Sequence, residues 1–375
     1  MYIKFKLEKK KKENSVVMNL LESLGWDSFF ESNFHPYKSQ DFEPARIIAE
    51  YRDLYKVITM DSLELIAEVS GKFEYTAAER GDFPVTGDWV VIRKLQNNNK
   101  AIIYHVLERK SKFSRKIPTA KTEEQIVSAN IDIAFIVQGL DHNYNLRRLE
   151  RYLVMAWESG AKPVILLNKA DLCEDIEDVL LEVSSVALDT PVYIIDSFSQ
   201  AGYECFSKYL EAGKTFVFLG SSGVGKSTII NNLMGKNVQK TNSVRENDSR
   251  GRHTTTNKQL FLLGERGILI DTPGMRELQL WNSETGLKET FLDVEELLKS
   301  CRFKNCSHEA EPGCAVQEAL ENGSLDPIRY EHYQKLQKEI KYLESRQDES
   351  LALQRKWDEK KFHKKIRKVI QHKRI

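Results

Sequence analysis

The stretch Gly220-Ser221-Ser222-Gly223-Val224-Gly225-Lys226-Ser227 constrains this chain more than any other. An apolar run, Thr215-Phe216-Val217-Phe218-Leu219, precedes it, and a helix-like run from Thr228 to Met234 follows. Strand, G-x-x-x-x-G-K-S, helix is the arrangement of a phosphate-binding loop. The glycines let backbone N–H groups turn inward around phosphate oxygens, and the helix that starts there adds the positive end of its dipole. Lys226 is placed to reach β- and γ-phosphates, and the Ser227 hydroxyl to ligate Mg²⁺. The predicted phosphate set is Gly220, Ser221, Ser222, Gly223, Val224, Gly225, Lys226, Ser227 and Thr228.

Two further stretches predict which base is read. Asn168-Lys169-Ala170-Asp171 follows the apolar run Pro163 to Leu167. In N-K-x-D the Asp carboxylate can accept from the ring N1–H and the 2-amino group of guanine together, a donor pair that adenine lacks. Asp271-Thr272-Pro273-Gly274 follows the strand-like Gly267 to Ile270. It fits D-x-x-G, with Asp271 reaching Mg²⁺ through water and the Gly274 amide reaching the γ-phosphate. Ser197, after the strand-like Val192 to Ile195, is the candidate for a loop whose backbone touches guanine O6; a turn or helix-cap serine fits the same place.

Ordinary GTPases run P-loop, D-x-x-G, then N-K-x-D. Here N-K-x-D comes first, so the motifs are permuted along the chain. In these residues the chain resembles the circularly permuted GTPases of the RsgA (YjeQ) type, which act in assembly of the small ribosomal subunit. The resemblance covers roughly residues 45 to 345. It implies a GTPase that hydrolyses GTP to GDP and phosphate, slow alone and stimulated by the 30S subunit. It also implies a role in late 30S maturation with 16S rRNA as a contact. A second reading is a GTP-dependent RNA-binding regulator of translation in which hydrolysis is incidental.

The 375 residues suffice for two or three domains with a sizeable core. The formal net charge of +1 means that any nucleic-acid contact must come from local patches. With no apolar run of membrane-spanning length, no membrane partner is expected. Five cysteines, an odd number with three clustered near residue 300, argue for metal ligation in a reducing compartment rather than disulfides. A cytoplasmic monomer is expected.

The chain divides, in this reading, into a helical preface (1–44), an OB-fold-like barrel (45–112), the circularly permuted α/β GTPase core (113–285) and a zinc-binding, basic helical module (286–375). In the preface, Val16 to Phe30 has helical spacing. Five strands are predicted at Ala45–Tyr51, Leu54–Thr59, Leu63–Val69, Trp89–Lys94 and Ala101–Leu107, punctuated at Gly71, Gly81 and Gly87. Five strands in this length suit an OB barrel, a frequent RNA binder. The basic run from Arg109 to Lys116 reads as a solvated linker. From about 126, strands alternate with helices, with a helix over Leu146–Ser159 closed by Gly160.

The polar run Gly251-Arg252-His253-Thr254-Thr255-Thr256 has the residues of a switch loop. Such a loop needs a Thr on Mg²⁺ and the γ-phosphate; Thr255 is the first choice and Thr256 the second. Where many GTPases hold a water-orienting Gln after D-x-x-G, this chain has Met275, which cannot donate a proton. His253 is the local candidate to hold the water, with Arg252 an alternative that would act on transition-state charge. The resemblance points to His253 as well. Lys226 and Thr255 complete the candidate catalytic set.

Cys301, Cys306, His308 and Cys314 give C-x4-C-x-H-x5-C, three thiolates and an imidazole suited to a closed tetrahedral Zn²⁺ site. With no ligand position spare, the zinc is expected to be structural. From Asp326 on, Tyr330, Tyr333, Leu336, Ile340 and Leu343 form an apolar helical stripe. After Asp348 the chain turns basic, with Trp357 and Phe362 interleaved, which suits rRNA phosphates, an anionic membrane surface or solvent.

Overall fold

The computed structural model describes residues 20–38, 41–96, 99–116, 124–235, 258–271, 284–309 and 311–345. The switch run with His253, Thr255 and Thr256, the Gly274 and Met275 positions, and the basic tail lie outside these residues.

The preface is not one helix. It forms two short ones, α1 (Leu20–Ser23) and α2 (Ser28–Phe34). Gly25, at φ 87°, turns the chain between them, and the Asp27 carboxylate caps α2 by accepting from the Phe29 and Phe30 N–H groups. Trp26, Phe30 and Phe34 are buried, and Trp26 meets Trp89 edge-on at 4.7 Å between ring centroids.

Five strands follow: β1 (Glu43–Glu50), β2 (Tyr55–Thr59), β3 (Glu64–Val69), β4 (Trp89–Lys94) and β5 (Lys100–Val106). Each lies within two residues of its predicted place. Neighbours pair in the order β1-β2-β3-β5-β4, and β4 returns to β1, so the barrel closes and leaves no edge. Its interior is apolar, built from residues such as Ile47, Val57, Val90 and Ile103. Gly71, expected as a turn, instead begins α3 (Gly71–Thr76), because the Ser70 hydroxyl caps the helix at the Phe73 N–H.

The predicted basic linker is largely strand. β6 (Lys112–Lys116) pairs antiparallel with β7 (Glu124–Ala129). Arg109 is not solvated: both its Nε and Nη2 donate to the fully buried Asp88 carboxylate, and it also reaches the Gly81 and Phe83 carbonyls. Arg46 is more deeply buried. It donates to carbonyls of Leu24, Gly87 and Asn130 and to Thr215 Oγ1, so one side chain ties the preface, the barrel and the following sheet. Burial draws its pKa down to about 10, opposed by Asp132 and Asp88, which leaves it charged at neutral pH.

The second body is a sheet with strand order β10-β9-β8-β11-β13-β12. The strands are β8 (Ile133–Gly139), β9 (Lys162–Asn168), β10 (Val192–Ile194), β11 (Thr215–Leu219), β12 (Gln259–Leu262) and β13 (Ile268–Asp271). All are parallel except β12, which forms a hairpin with β13 and touches β1 at Gln259 and Ala49. Alternate residues serve opposite faces. Ala134, Ile136, Val217 and Leu219 pack toward α4 (Leu146–Ser159) and α5 (Ile176–Ala187), whereas Phe135, Val137, Phe216 and Phe218 pack toward α6 (Lys226–Met234). α4 spans the residues expected of it, with Asn145 capping its start and Gly160 its end. Tyr203–Lys208 forms a 3₁₀ helix.

The C-terminal module contains α7 (Glu284–Thr290), α8 (Leu292–Ser300), α9 (Ala315–Glu321) and a helix over 327–345, here α10. The Asp326 carboxylate starts α10 by accepting from the Ile328 N–H, with Pro327 in the first turn. The stripe from Tyr330 to Leu343 is buried against the same core as α4. Among the described residues no helix is long and apolar enough to cross a membrane.

Candidate functional site

The parallel strands end together on one rim. β8 runs out into Leu140 to Asn145, β9 into Asn168 to Asp171, β10 into Asp196 to Ser199, β11 into Gly220 to Ser227, and β13 into Asp271. A rim of loops at the carboxyl ends of parallel strands is where α/β sheets bind ligands.

Asn168 joins three of those loops. Its side chain is fully buried. Nδ2 donates to the Val224 carbonyl at 2.7 Å and to Ser197 Oγ at 3.1 Å, and Oδ1 accepts from the Ser197 N–H at 2.8 Å. The N-K-x-D loop, the P-loop and the loop after β10 are thus pinned at one amide. Gly225 has to be glycine here: at φ 103° a Cβ would lie 2.2 Å from Asn168 Nδ2. The Ser197 N–H is committed to Asn168, and the next two N–H groups, of Phe198 and Ser199, donate to the Asp196 carboxylate. Ser197 therefore ties the loop after β10 to the N-K-x-D loop through both its backbone and its hydroxyl.

Lys169 occupies the left-handed region at φ 65°, which turns the chain out of β9 into the 3₁₀ turn Ala170–Leu172. Asp171 is exposed on that turn. Lys169 Nζ pairs with Asp141 Oδ2 at 2.6 Å. Burial alone would raise the Asp141 carboxyl, but the Lys169 ammonium and the Asn143 N–H hold it below its ordinary value. The pair's contribution is therefore present at neutral pH and fades as pH falls through the lowered value.

In the P-loop, Lys226 Nζ donates to the Gly220 and Ser221 carbonyls at 2.7 and 2.6 Å. Ser227 and Thr228 lie half-buried in the first turn of α6, where helix N–H groups have no intrahelical partner. Asp271 ends β13, which is hydrogen-bonded in parallel beside β11, so the residue lies on the same rim. The rim holds Asn168, Lys169, Ala170, Asp171, Ser197, Gly220 to Thr228 and Asp271 together. The remaining candidates, His253, Thr255 and Gly274, lie outside the described residues.

Asp141 and Asn143 were not among the sequence candidates. Asn143 Nδ2 donates to Ser221 Oγ at 3.1 Å and to the Ser222 carbonyl at 3.2 Å. The available signal was an Asp-x-Asn after a fully buried strand, which reads as ordinary turn chemistry.

The four cysteine-cluster residues converge as their spacing predicts. The ligand atoms of Cys301, Cys306, His308 and Cys314 all lie within 4.8 Å of one another. Cys301 Sγ is 3.5 Å from His308 Nδ1 and 3.9 Å from Cys314 Sγ, and Cys314 Sγ is 3.7 Å from His308 Nδ1. Ligands about 2.0–2.3 Å from a tetrahedral Zn²⁺ have such mutual distances. The fold supplies the geometry: Cys301 ends α8, Cys314 begins α9, and Arg302 N–H donates to the Gly313 carbonyl across the intervening loop.

Comparison with known proteins places this geometry in a family. A family model described as RsgA GTPase matches residues 106–281. "Small ribosomal subunit biogenesis GTPase RsgA 1" of Listeria innocua is 44% identical over 348 residues, covering 93% of this chain and 97% of that protein. "Small ribosomal subunit biogenesis GTPase RsgA" of Opitutus terrae is 41% identical, covering 88% and 93%. Among solved structures, YjeQ from Thermotoga maritima matches with a TM-score of 0.58 at 25% identity, over 80% of this chain and 98% of that one. YloQ, described as a circularly permuted GTPase, matches with a TM-score of 0.57 at 25% identity, over 80% and 95%.

Proposed function

The chain belongs to the RsgA family of circularly permuted GTPases, and from that premise we propose that it hydrolyses GTP in the cytoplasm to drive a late step of 30S ribosomal subunit maturation. The observation that carries this reading is the Asn168 junction, which fixes a guanine-type loop, a phosphate loop and the loop after β10 on one rim. Asp171 reads the guanine N1–H and 2-amino group. The P-loop amides and Lys226 hold the phosphates. Ser227 and Thr255 would hold Mg²⁺, which would supply charge neutralisation for the phosphates. Asp271 and Gly274 respond to the γ-phosphate. His253 orients the attacking water, a task that the Met275 thioether cannot perform.

In the same reading the OB barrel (45–112) and the basic tail contact 16S rRNA, the core (113–285) turns over nucleotide, and the module (286–375) carries one structural Zn²⁺ on Cys301, Cys306, His308 and Cys314. The donor set fits that ion and leaves no position for substrate. The protein acts as a monomer. Without a Gln after D-x-x-G, intrinsic hydrolysis is slow and the subunit supplies the acceleration.

The test is GTP hydrolysis with and without purified 30S subunits, with 50S subunits as control, for the wild type and His253→Ala. Stimulation by 30S alone, lost in the variant, is the expected result. Equal slow rates in all three conditions would refute the assembly role and favour GTP as a binding switch in a translation regulator.

A further inference from the structure

The turn after β8 links the two halves of the nucleotide site. Asp141 holds Lys169, the lysine of the base-reading loop, at 2.6 Å. Asn143, two residues on, holds the phosphate loop: its Nδ2 donates one hydrogen to Ser221 Oγ and the other to the Ser222 carbonyl. The two residues are themselves tied, because the Asn143 N–H donates to Asp141 Oδ1 at 3.0 Å. The amide orientation is dictated from behind, where Asn143 Oδ1 accepts from Arg148 Nη2 at 2.8 Å and the Asn143 carbonyl accepts from Gln138 Nε2 at 3.2 Å. With Oδ1 facing a guanidinium, Nδ2 must face the P-loop, and both of its hydrogens are used.

We infer that Asp141 and Asn143 are positioning residues that couple the guanine loop to the phosphate loop, so that the two halves of the pocket are held in register before nucleotide arrives. The inference rests on the guanine-nucleotide reading of this rim. A P-loop binds through backbone N–H groups aimed at phosphate oxygens, and its affinity depends on how little ordering remains to be done at binding. The Asn168 junction fixes the loop at Val224, near its helical end. Asn143 fixes it at Ser221 and Ser222, near its strand end. With both anchors the loop is held across its span; with one, its first turn is free to open.

The isosteric variant separates this role from a merely structural one. Asn143→Asp keeps the turn and keeps an acceptor for Arg148, but it replaces the Nδ2 donor by a carboxylate oxygen facing the Ser222 carbonyl. A turn-forming role tolerates Asp; a clamp on the P-loop does not.

The experiment is stopped-flow dissociation of mant-GDP from the full-length wild type, Asn143→Ala, Asn143→Asp, Ser221→Ala and the Asn143→Ala/Ser221→Ala double variant, with thermal midpoints alongside. Asn143→Ala should release mant-GDP about tenfold faster, Asn143→Asp at least as fast, and the double variant within about twofold of Asn143→Ala, because residues sharing one interaction are not additive. Thermal midpoints should stay near the wild type. Wild-type release from Asn143→Asp, or fully multiplicative effects in the double variant, would overturn the coupling while leaving the nucleotide reading intact. A wild type that binds no mant-GDP would overturn both.

Discussion

A single buried amide decides whether the nucleotide loops form one site. Asn168 is fully buried, and its three hydrogen bonds satisfy a carbonyl of one loop and the N–H and hydroxyl of another. Removing it does more than delete contacts. The Val224 carbonyl and the Ser197 N–H would be left in the interior without partners, and each such group costs about 1–3 kcal/mol. Asn168→Ala should therefore lose about 2–4 kcal/mol of stability in urea unfolding and weaken guanine-nucleotide binding at least tenfold in a titration. Gly225→Ala attacks the same point from the other side, since its Cβ would occupy the position of the Asn168 amide. An Asn168→Ala variant with wild-type affinity would show that the loops are held by something else.

At the scale of elements, the parts read correctly from sequence are those whose pattern is local. The barrel strands follow from short apolar runs punctuated by Gly turns, and α4 follows from the strand–helix alternation and its closing Gly160. The apolar stripe of α10 is buried as its spacing implies. What was not legible depends on distant partners. Arg109 looks like one more basic linker residue until the fold brings Asp88 to it. Asp141 and Asn143 look like turn residues until the sheet sets them beside Lys169 and Ser221. The cysteine cluster lies between these cases: its spacing names the ligands, but α8 and α9 must meet to close the site. Those helices are nine and seven residues long, too short to persist without tertiary support. Zinc should therefore act as a folding element of the module. The purified protein should carry about one zinc per chain by elemental analysis, and Cys306→Ala should lose it. The variant should become sensitive to proteolysis between residues 300 and 315 while still binding guanine nucleotide through the Lys226 loop. Full protease resistance without bound metal would remove zinc from the fold.

At the scale of the whole molecule, the C-terminal module is tied to the sheet's helical layer through Glu150, in the second turn of α4 and fully buried. It accepts from Arg329 Nη1 at 2.8 Å and Arg147 Nη1 at 2.9 Å, with His332 Nδ1 at 2.6 Å. Arg329 in turn is 4% exposed, forms two bonds to Asp293 at 2.7 Å, reaches the Thr290 carbonyl and stacks over Phe291. The flanking pairs Arg147–Asp326 and Arg151–Glu339 are partly exposed and add little. The buried group differs because losing one partner strands the other charge. Arg329→Met should cost about 3–5 kcal/mol in chemical denaturation. Arg329→Lys should not rescue it, since an ammonium cannot reproduce the forked contacts or the stacking. The same α4 leaves the turn in which Asn143 touches the P-loop, so one helix contacts the nucleotide rim at its start and the module from its second turn. Hydrogen exchange should then rise in α7, α8 and α10 of Arg329→Met while the barrel strands keep their protection. Adding Glu150→Gln should recover part of the loss by removing the stranded carboxylate. Nucleotide affinity should survive in both variants. Unchanged exchange in the three helices, with stability within about 0.5 kcal/mol of the wild type, would mean that the module is held by its apolar stripe alone.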